Sequence, residues 1–90
     1  MRAPTGPRVF VVTGCASGIG RSLARRLHAD GHSLLATDVN EEGLRKSAGA
    51  DGWAGSDRAV VRALDVRDPR AWRDALHAAV ERWGRLDVLV

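Results

Sequence analysis

Short apolar runs alternate along the chain with longer segments of helical character, and no other sequence feature limits the fold as strongly. The apolar runs occupy residues 8–13, 33–38, 59–65 and 86–90. The first run is rich in β-branched residues, which is typical of a fully buried strand. Strands that alternate with helices predict an α/β domain with a parallel sheet, because a crossover is needed to bring each strand beside the last.

The segment after the first strand predicts a helix over residues 18–30. Ile19, Leu23 and Leu27 recur at every fourth position, with Ala24 beside them. We expect these side chains to form the buried face of the helix.

Two further helices are predicted over residues 40–47 and 68–84. Asn40 can cap the first of them, which Gly43 weakens. Asp68 followed by a proline is a typical start for the second. Three crossovers in succession then predict a doubly wound sheet of strand order 3-2-1-4, with the third helix alone on one face.

A single helix cannot cover four strands, and a chain of 90 residues buries too little surface for a complete enzyme. We therefore expect an N-terminal tail at residues 1–7 and a partial domain at residues 8–90, truncated after the fourth strand.

The composition argues against several classes of protein. The single cysteine, Cys15, cannot form an internal disulfide, and no Cys or His pairs have zinc-ligand spacing, so no metal site is predicted. The arginines are scattered and the net charge is only +3, so no nucleic-acid partner is expected. The apolar run at residues 9–12 is too short for a signal peptide or a membrane helix. We expect a cytoplasmic protein with no membrane partner.

Three glycines stand where the first strand meets the first helix, in the segment Thr-Gly-Cys-Ala-Ser-Gly-Ile-Gly at residues 13–20. Gly14 allows a sharp exit from the strand, Gly18 allows a pyrophosphate to approach the backbone, and Gly20 allows the helix to pack closely. The helix start offers free N–H groups to phosphates. Asp38, at the end of the second strand, is placed to bind ribose hydroxyls. Together these features predict a dinucleotide site.

The spacing Thr-Gly-x-x-x-Gly-Ile-Gly resembles the fingerprint of the short-chain dehydrogenases and reductases. Asp65 and Val66 are similar to the family's acidic-apolar pair that lies against the adenine. Residues 86–90 are similar to the strand that leads into its Asn-Asn-Ala-Gly turn. The resemblance covers residues 8–90 and implies a partial Rossmann dinucleotide-binding domain. It also implies NAD as cofactor and a parent oxidoreductase, itself a homo-oligomer, acting on a small alcohol or carbonyl compound.

NAD is predicted rather than NADP because the Asp38 carboxylate would repel a phosphate on the ribose. Ser17 and Val39 stand where NADP users of the family often carry a basic residue, and Arg21 is expected to point to solvent. The residues predicted to bind the cofactor are Gly14, Ser17, Gly18, Ile19, Gly20, Asp38, Val39, Asp65 and Val66.

No catalytic residue is predicted in the chain. The family's active-site Ser and Tyr-x-x-x-Lys lie beyond the fourth strand, the chain has no tyrosine, and Lys46 is on the weak second helix. The 90 residues alone are therefore expected to be inactive. A non-catalytic nucleotide-binding module or regulator of the same fold is the alternative. A sugar-nucleotide epimerase relative fits less well, because its Gly-x-x-Gly-x-x-Gly spacing is not present.

Three residues also have plainer interpretations. Asp38 can cap the helix that follows it, and Asp65 can cap the next turn. Cys15 is either a loop filler or a thiol activated by the helix start.

Overall fold

The computed structural model describes residues 6–90, so most of the predicted tail, residues 1–5, lies outside the described residues. Strands and helices alternate as predicted. They are β1 (Val9–Val12), α1 (Gly18–Ala29), β2 (Ser33–Asp38), α2 (Glu41–Ala50), β3 (Ala59–Ala63), α3 (Pro69–Trp83) and β4 (Val88–Leu89). Within residues 6–90, no helix is both long and apolar enough to cross a membrane.

The four strands form one sheet in the order β3-β2-β1-β4, which confirms the predicted order. All three pairings are parallel. In register, Val11 of β1 lies beside Leu35 of β2, and Leu35 lies beside Val60 of β3. The carboxyl ends of the strands therefore meet at a single edge of the sheet, where ligands bind in folds of this kind.

The helices cover the two faces of the sheet as predicted. On one face, side chains of α1 and α2 pack with alternate residues of the strands, in a cluster of Val12, Cys15, Ala24, Leu27, Leu34, Ala36, Leu44, Ala48 and Trp53. On the other face, α3 packs on Val11, Leu35 and Leu64 through Ala75 and Ala79. Because side chains alternate across a strand, Leu34 and Leu35 pack in the clusters on opposite faces of the sheet.

The buried face of α1 differs from the prediction. Ile19 is 89% exposed, so the expected apolar stripe does not begin there. Gly20 instead meets the backbone at the end of β1, and Ala24 and Leu27 continue the same face as buried residues. The close approach of the helix at Gly20 turns Ile19, which is about 100° away on the helix, out of the core.

Helix α2 continues past Ser47, where it was predicted to end, as far as Ala50. The Asn40 side chain accepts a hydrogen bond of 3.0 Å from the Gly43 N–H, as a cap does. A Cβ on Gly43 would lie 2.5 Å from the Asn40 Nδ2 atom. The glycine that lowers helix propensity here thus makes room for the cap that starts the helix.

Candidate nucleotide-binding site

A cleft of about 440 Å³ opens at the carboxyl edge of the sheet, which is a size typical of small-molecule sites. The residues that line it follow β1, β2 and β3. They are Thr13, Gly14, Asp38, Val39, Leu64, Asp65, Val66 and Arg67. The structure thus brings five of the predicted residues, Gly14, Asp38, Val39, Asp65 and Val66, to one cleft. The other four, Ser17, Gly18, Ile19 and Gly20, form the start of α1 and do not line the cleft.

The loop between β1 and α1 requires its glycines for different reasons. Gly14 and Gly18 have φ angles of +69° and +62°, which L side chains rarely adopt. A Cβ on Gly20 would overlap the carbonyl group of Gly14 and lie 2.9 Å from the Thr13 carbonyl oxygen. Because both of these neighbours are backbone, only glycine allows α1 to start this close to β1.

The first turn of α1 is open to an anion. Ser17 is the N-cap residue, yet within the described chain its side chain caps no N–H of the helix, and no acidic residue occupies the first turn. Ser17, Gly18 and Ile19 are all exposed. Free N–H groups and the positive end of the helix dipole at an exposed helix start favour phosphate.

Asp38 stands between this loop and the start of α2. Its Oδ2 atom accepts a hydrogen bond from the Ala16 N–H at 3.0 Å, and its Oδ1 atom accepts one from the Asn40 N–H at 2.9 Å. Asn40, rather than Asp38, supplies the side-chain cap of α2. Since a carboxylate has about four acceptor positions, about two of them remain open to a ligand.

Val39 and Val66 give the cleft an apolar rim. The two residues are 71% and 54% exposed, although both are aliphatic. They flank the cleft together with Asp38 and Asp65. The cleft therefore offers apolar surface beside the polar acceptors of Asp38 and Asp65.

Arg67 also lines the cleft, although it is not among the residues predicted from the sequence to bind the cofactor. Its guanidinium binds the Asp65 carboxylate through two hydrogen bonds, Nε to Oδ1 at 3.1 Å and Nη2 to Oδ2 at 2.9 Å. Its backbone N–H also donates to Asp65 Oδ1 at 2.9 Å, so Asp65 does cap this turn. The side-chain bonds from Arg67, and then the backbone bond, lower the pKa of Asp65 to about 2. The signal in the sequence was the Asp-x-Arg spacing directly after the third strand.

Cys15 and Arg21 do not act on this site. Cys15 is fully buried, and burial raises the pKa of its thiol to about 11, so the interpretation as an activated thiol is wrong and that as a filler is supported. The prediction that Arg21 points to solvent is confirmed only in part, because 40% of its side chain is exposed but its guanidinium is paired. Its guanidinium binds Asp51 at the end of α2 through Nε at 2.9 Å and Nη2 at 3.0 Å. The two residues meet because α1 and α2 both pack on the same face of the sheet.

Comparison with known proteins finds a matching family and similar dehydrogenases. The family model described as short chain dehydrogenase matches residues 8–90. The 2,5-dichloro-2,5-cyclohexadiene-1,4-diol dehydrogenase of Sphingobium indicum is 38% identical over 82 residues, which are 91% of this chain and 32% of that protein.

Two solved structures share the fold. A glucose/ribitol-type short-chain dehydrogenase/reductase from Brucella melitensis superimposes with a TM-score of 0.83 at 33% identity, over 91% of this chain and 34% of that one. A short-chain dehydrogenase/reductase from Burkholderia phymatum in complex with NAD also gives a TM-score of 0.83, at 28% identity, over 94% of this chain and 30% of that one. The chain spans about a third of the length of the curated relatives it matches.

Proposed function

Because the chain belongs to the short-chain dehydrogenase family, we propose that it is the NAD-binding part of an oxidoreductase acting on a small alcohol or carbonyl compound. Residues 8–90 are then a partial dinucleotide-binding domain, preceded by a tail at residues 1–7. The observation that carries the proposal is the Asp38 carboxylate, which lines the cleft beside an uncapped helix start. The Sphingobium indicum relative, a diol dehydrogenase by name, supports a hydroxyl compound as substrate.

The residues present fit NAD. Asp38 has acceptor positions left for the ribose hydroxyls of the adenosine half, and Val39, Asp65 and Val66 offer a mixed apolar and polar surface for the adenine. The pyrophosphate is assigned to the loop and the start of α1, namely Gly14, Ser17, Gly18 and Ile19, with Gly20 as the packing glycine. When bound, NAD supplies the hydride acceptor of an alcohol oxidation.

Charge favours NAD over NADP at this site. NADP would bring a phosphate of roughly two negative charges close to Asp38. One pair of unit charges about 4 Å apart interacts with about 4 kcal/mol at an effective dielectric constant of about 20. After screening, a penalty of about 2 to 4 kcal/mol corresponds to a factor of roughly 30 to 1,000 in affinity. The guanidinium of Arg67 in the cleft is already bound to Asp65, and Arg21 binds Asp51 and does not line the cleft.

The acid or base of the reaction is assigned to residues outside these 90, because the chain contains no tyrosine. Its single lysine, Lys46, lies on α2 and pairs with Glu42 at 3.4 Å, with its side chain 76% exposed. The chain covers about a third of the relatives' length, so we propose that the substrate pocket and the contacts of a homo-oligomer belong to a longer protein. We propose that this protein is cytoplasmic.

The proposal is tested by calorimetric titration of that longer protein with NAD, followed by an assay with NAD and a panel of secondary alcohols. We expect saturable binding of NAD and formation of NADH. Binding without turnover of any alcohol, or of any ketone with NADH, would favour the non-catalytic module. No binding of NAD would overturn the proposed function.

A further inference from the structure

A buried hydroxyl on α2 contacts the loop that carries the phosphate-binding groups. Ser47 is 5% exposed and shares the buried face of α2 with Leu44 and Ala48. Its Oγ atom donates a hydrogen bond of 2.7 Å to the carbonyl oxygen of Ala16, one residue before Ser17. A buried serine among apolar residues is retained at little cost only when its hydroxyl has such a partner.

Both backbone hydrogen-bonding groups of Ala16 have partners in other elements of the fold. Its N–H donates to Asp38 Oδ2 at the end of β2, while its carbonyl oxygen accepts from Ser47 on α2. The preceding residue, Cys15, donates its N–H to the Thr37 carbonyl oxygen at 3.0 Å. The loop is thereby tied to two elements other than the strand and helix that it joins.

The end of α2 also holds the first turn of α1. Asp51, one helical turn beyond Ser47, is the C-cap residue of α2, and its carboxylate binds Arg21 in the α1 helix. Only 6% of the Asp51 side chain is exposed. The hydrogen bond of Arg21 lowers the pKa of Asp51, so the carboxylate stays ionised and paired over the physiological range. Helix α2 thus adds a second contact to the start of α1, besides the contact of Gly20 with the Gly14 carbonyl group.

We propose that Ser47 is a positioning residue of the nucleotide site, which fixes the peptide between Ala16 and Ser17 and so sets where the start of α1 presents its N–H groups to the pyrophosphate. The inference rests on the proposed function. Neither Ala16 nor Ser17 lines the cleft at the carboxyl edge of the sheet, to which the adenosine half is assigned. Ser47 binds the carbonyl side of Ala16, in the peptide that carries the Ser17 N–H, whereas Asp38 binds the N–H side of Ala16. We therefore expect Ser47 to affect pyrophosphate binding more than the adenosine contacts.

The test compares the affinities of the protein for ADP and for adenosine, which lacks the phosphates. Replacement of Ser47 by alanine removes one hydrogen bond, so we expect ADP to bind roughly 3- to 10-fold more weakly. Adenosine affinity should stay within twofold of the unmodified protein. Ser22→Ala, an exposed serine on α1, is the matched control and should change neither affinity.

Ser47→Cys keeps the size of the side chain but has a weaker donor, so it should shift the ratio of the two affinities in the same direction if the alanine variant does not fold. An unchanged ADP affinity, or equal losses for ADP and adenosine, would overturn the role of Ser47. Failure of the unmodified protein to bind either ligand would instead overturn the proposed function.

Discussion

Aspartates at the ends of strands each hold a backbone N–H in this protein. Asp38 accepts from Ala16, Asp65 accepts from Arg67, and Asp87 accepts from Val9 at 2.8 Å. The first two lie at the cleft, while Asp87 ties the start of β4 to the start of β1. These carboxylates therefore shape the backbone around them, and the two at the cleft keep part of their acceptor capacity for a ligand.

The ion pair between Asp65 and Arg67 makes a testable pH prediction. Arg67→Gln should raise the pKa of Asp65 from about 2 toward the ordinary value of about 4. Because the pKa in the folded state is the lower one, the stabilisation from Asp65 is complete above about pH 4 and is lost as the pH falls toward about 2. An NMR titration of the carboxyl carbons measures this, with Arg70→Gln as the control. An Asp65 that titrates near its ordinary value in the unmodified protein would contradict the pairing.

Sequence reasoning at single residues succeeded for turns and backbone caps, although it missed the ion pair of Asp65 with Arg67 two positions away. The glycine pattern marked the turn before α1, and Asp65 was foreseen as a possible cap for the next turn. The bond of Ser47 to Ala16 spans 31 positions, and that of Arg21 to Asp51 spans 30. Such contacts depend on where α1 and α2 lie on the same face of the sheet, which no local pattern encodes.

Among the elements, the start of α1 is fixed by a backbone contact. The predicted stripe of α1 was wrong at Ile19, since a period of four residues does not show which face meets the sheet. Gly20 decides this, because its missing Cβ lets the helix touch the Gly14 carbonyl group. The predicted end of α2 was too early. The last turn of α2 contains a glycine, which lowers helix propensity, but the buried residues Ser47 and Ala48 hold this turn in place.

Gly20→Ala tests the contact of Gly20 with the Gly14 carbonyl group, and Gly49→Ala is a comparison with the opposite expected effect. Gly20→Ala should lower the free energy of unfolding by about 1 to 3 kcal/mol, because the new methyl group collides with backbone. Gly49→Ala, in α2 with open space around it, should raise it by about 0.5 to 1 kcal/mol through helix propensity. Both are measured by urea unfolding. A Gly20→Ala protein as stable as the unmodified one would show that α1 does not rest on Gly14.

At the scale of the whole molecule, the strand order determines where the candidate site forms. With β1 between β2 and β4, the residues after β1, β2 and β3 converge on one cleft. This order was predictable because right-handed crossovers and the glycine turn leave few alternatives. The ion pair between Asp65 and Arg67 within the cleft was not predicted.

The 90 residues alone should show no hydride transfer. Oxidation of an alcohol requires a base within hydrogen-bond reach of the hydroxyl, and the carboxylates of the cleft are assigned to the adenosine half of the cofactor. We expect no NADH when the chain is mixed with NAD and secondary alcohols. Formation of NADH that is abolished by a substitution within residues 6–90 would contradict this assignment.

The most direct test of the central claim is the ratio of NAD to NADP affinity in the longer protein, measured by titration before and after Asp38→Ala. We expect NAD to bind roughly 30- to 1,000-fold more tightly than NADP. In the Asp38→Ala variant the ratio should fall by at least about tenfold, since the repelling carboxylate is gone, while Asp74→Ala on the exposed side of α3 leaves it unchanged. Equal affinities in the unmodified protein, or an unchanged ratio in the Asp38 variant, would remove Asp38 from the ribose site and contradict the assignment of NAD.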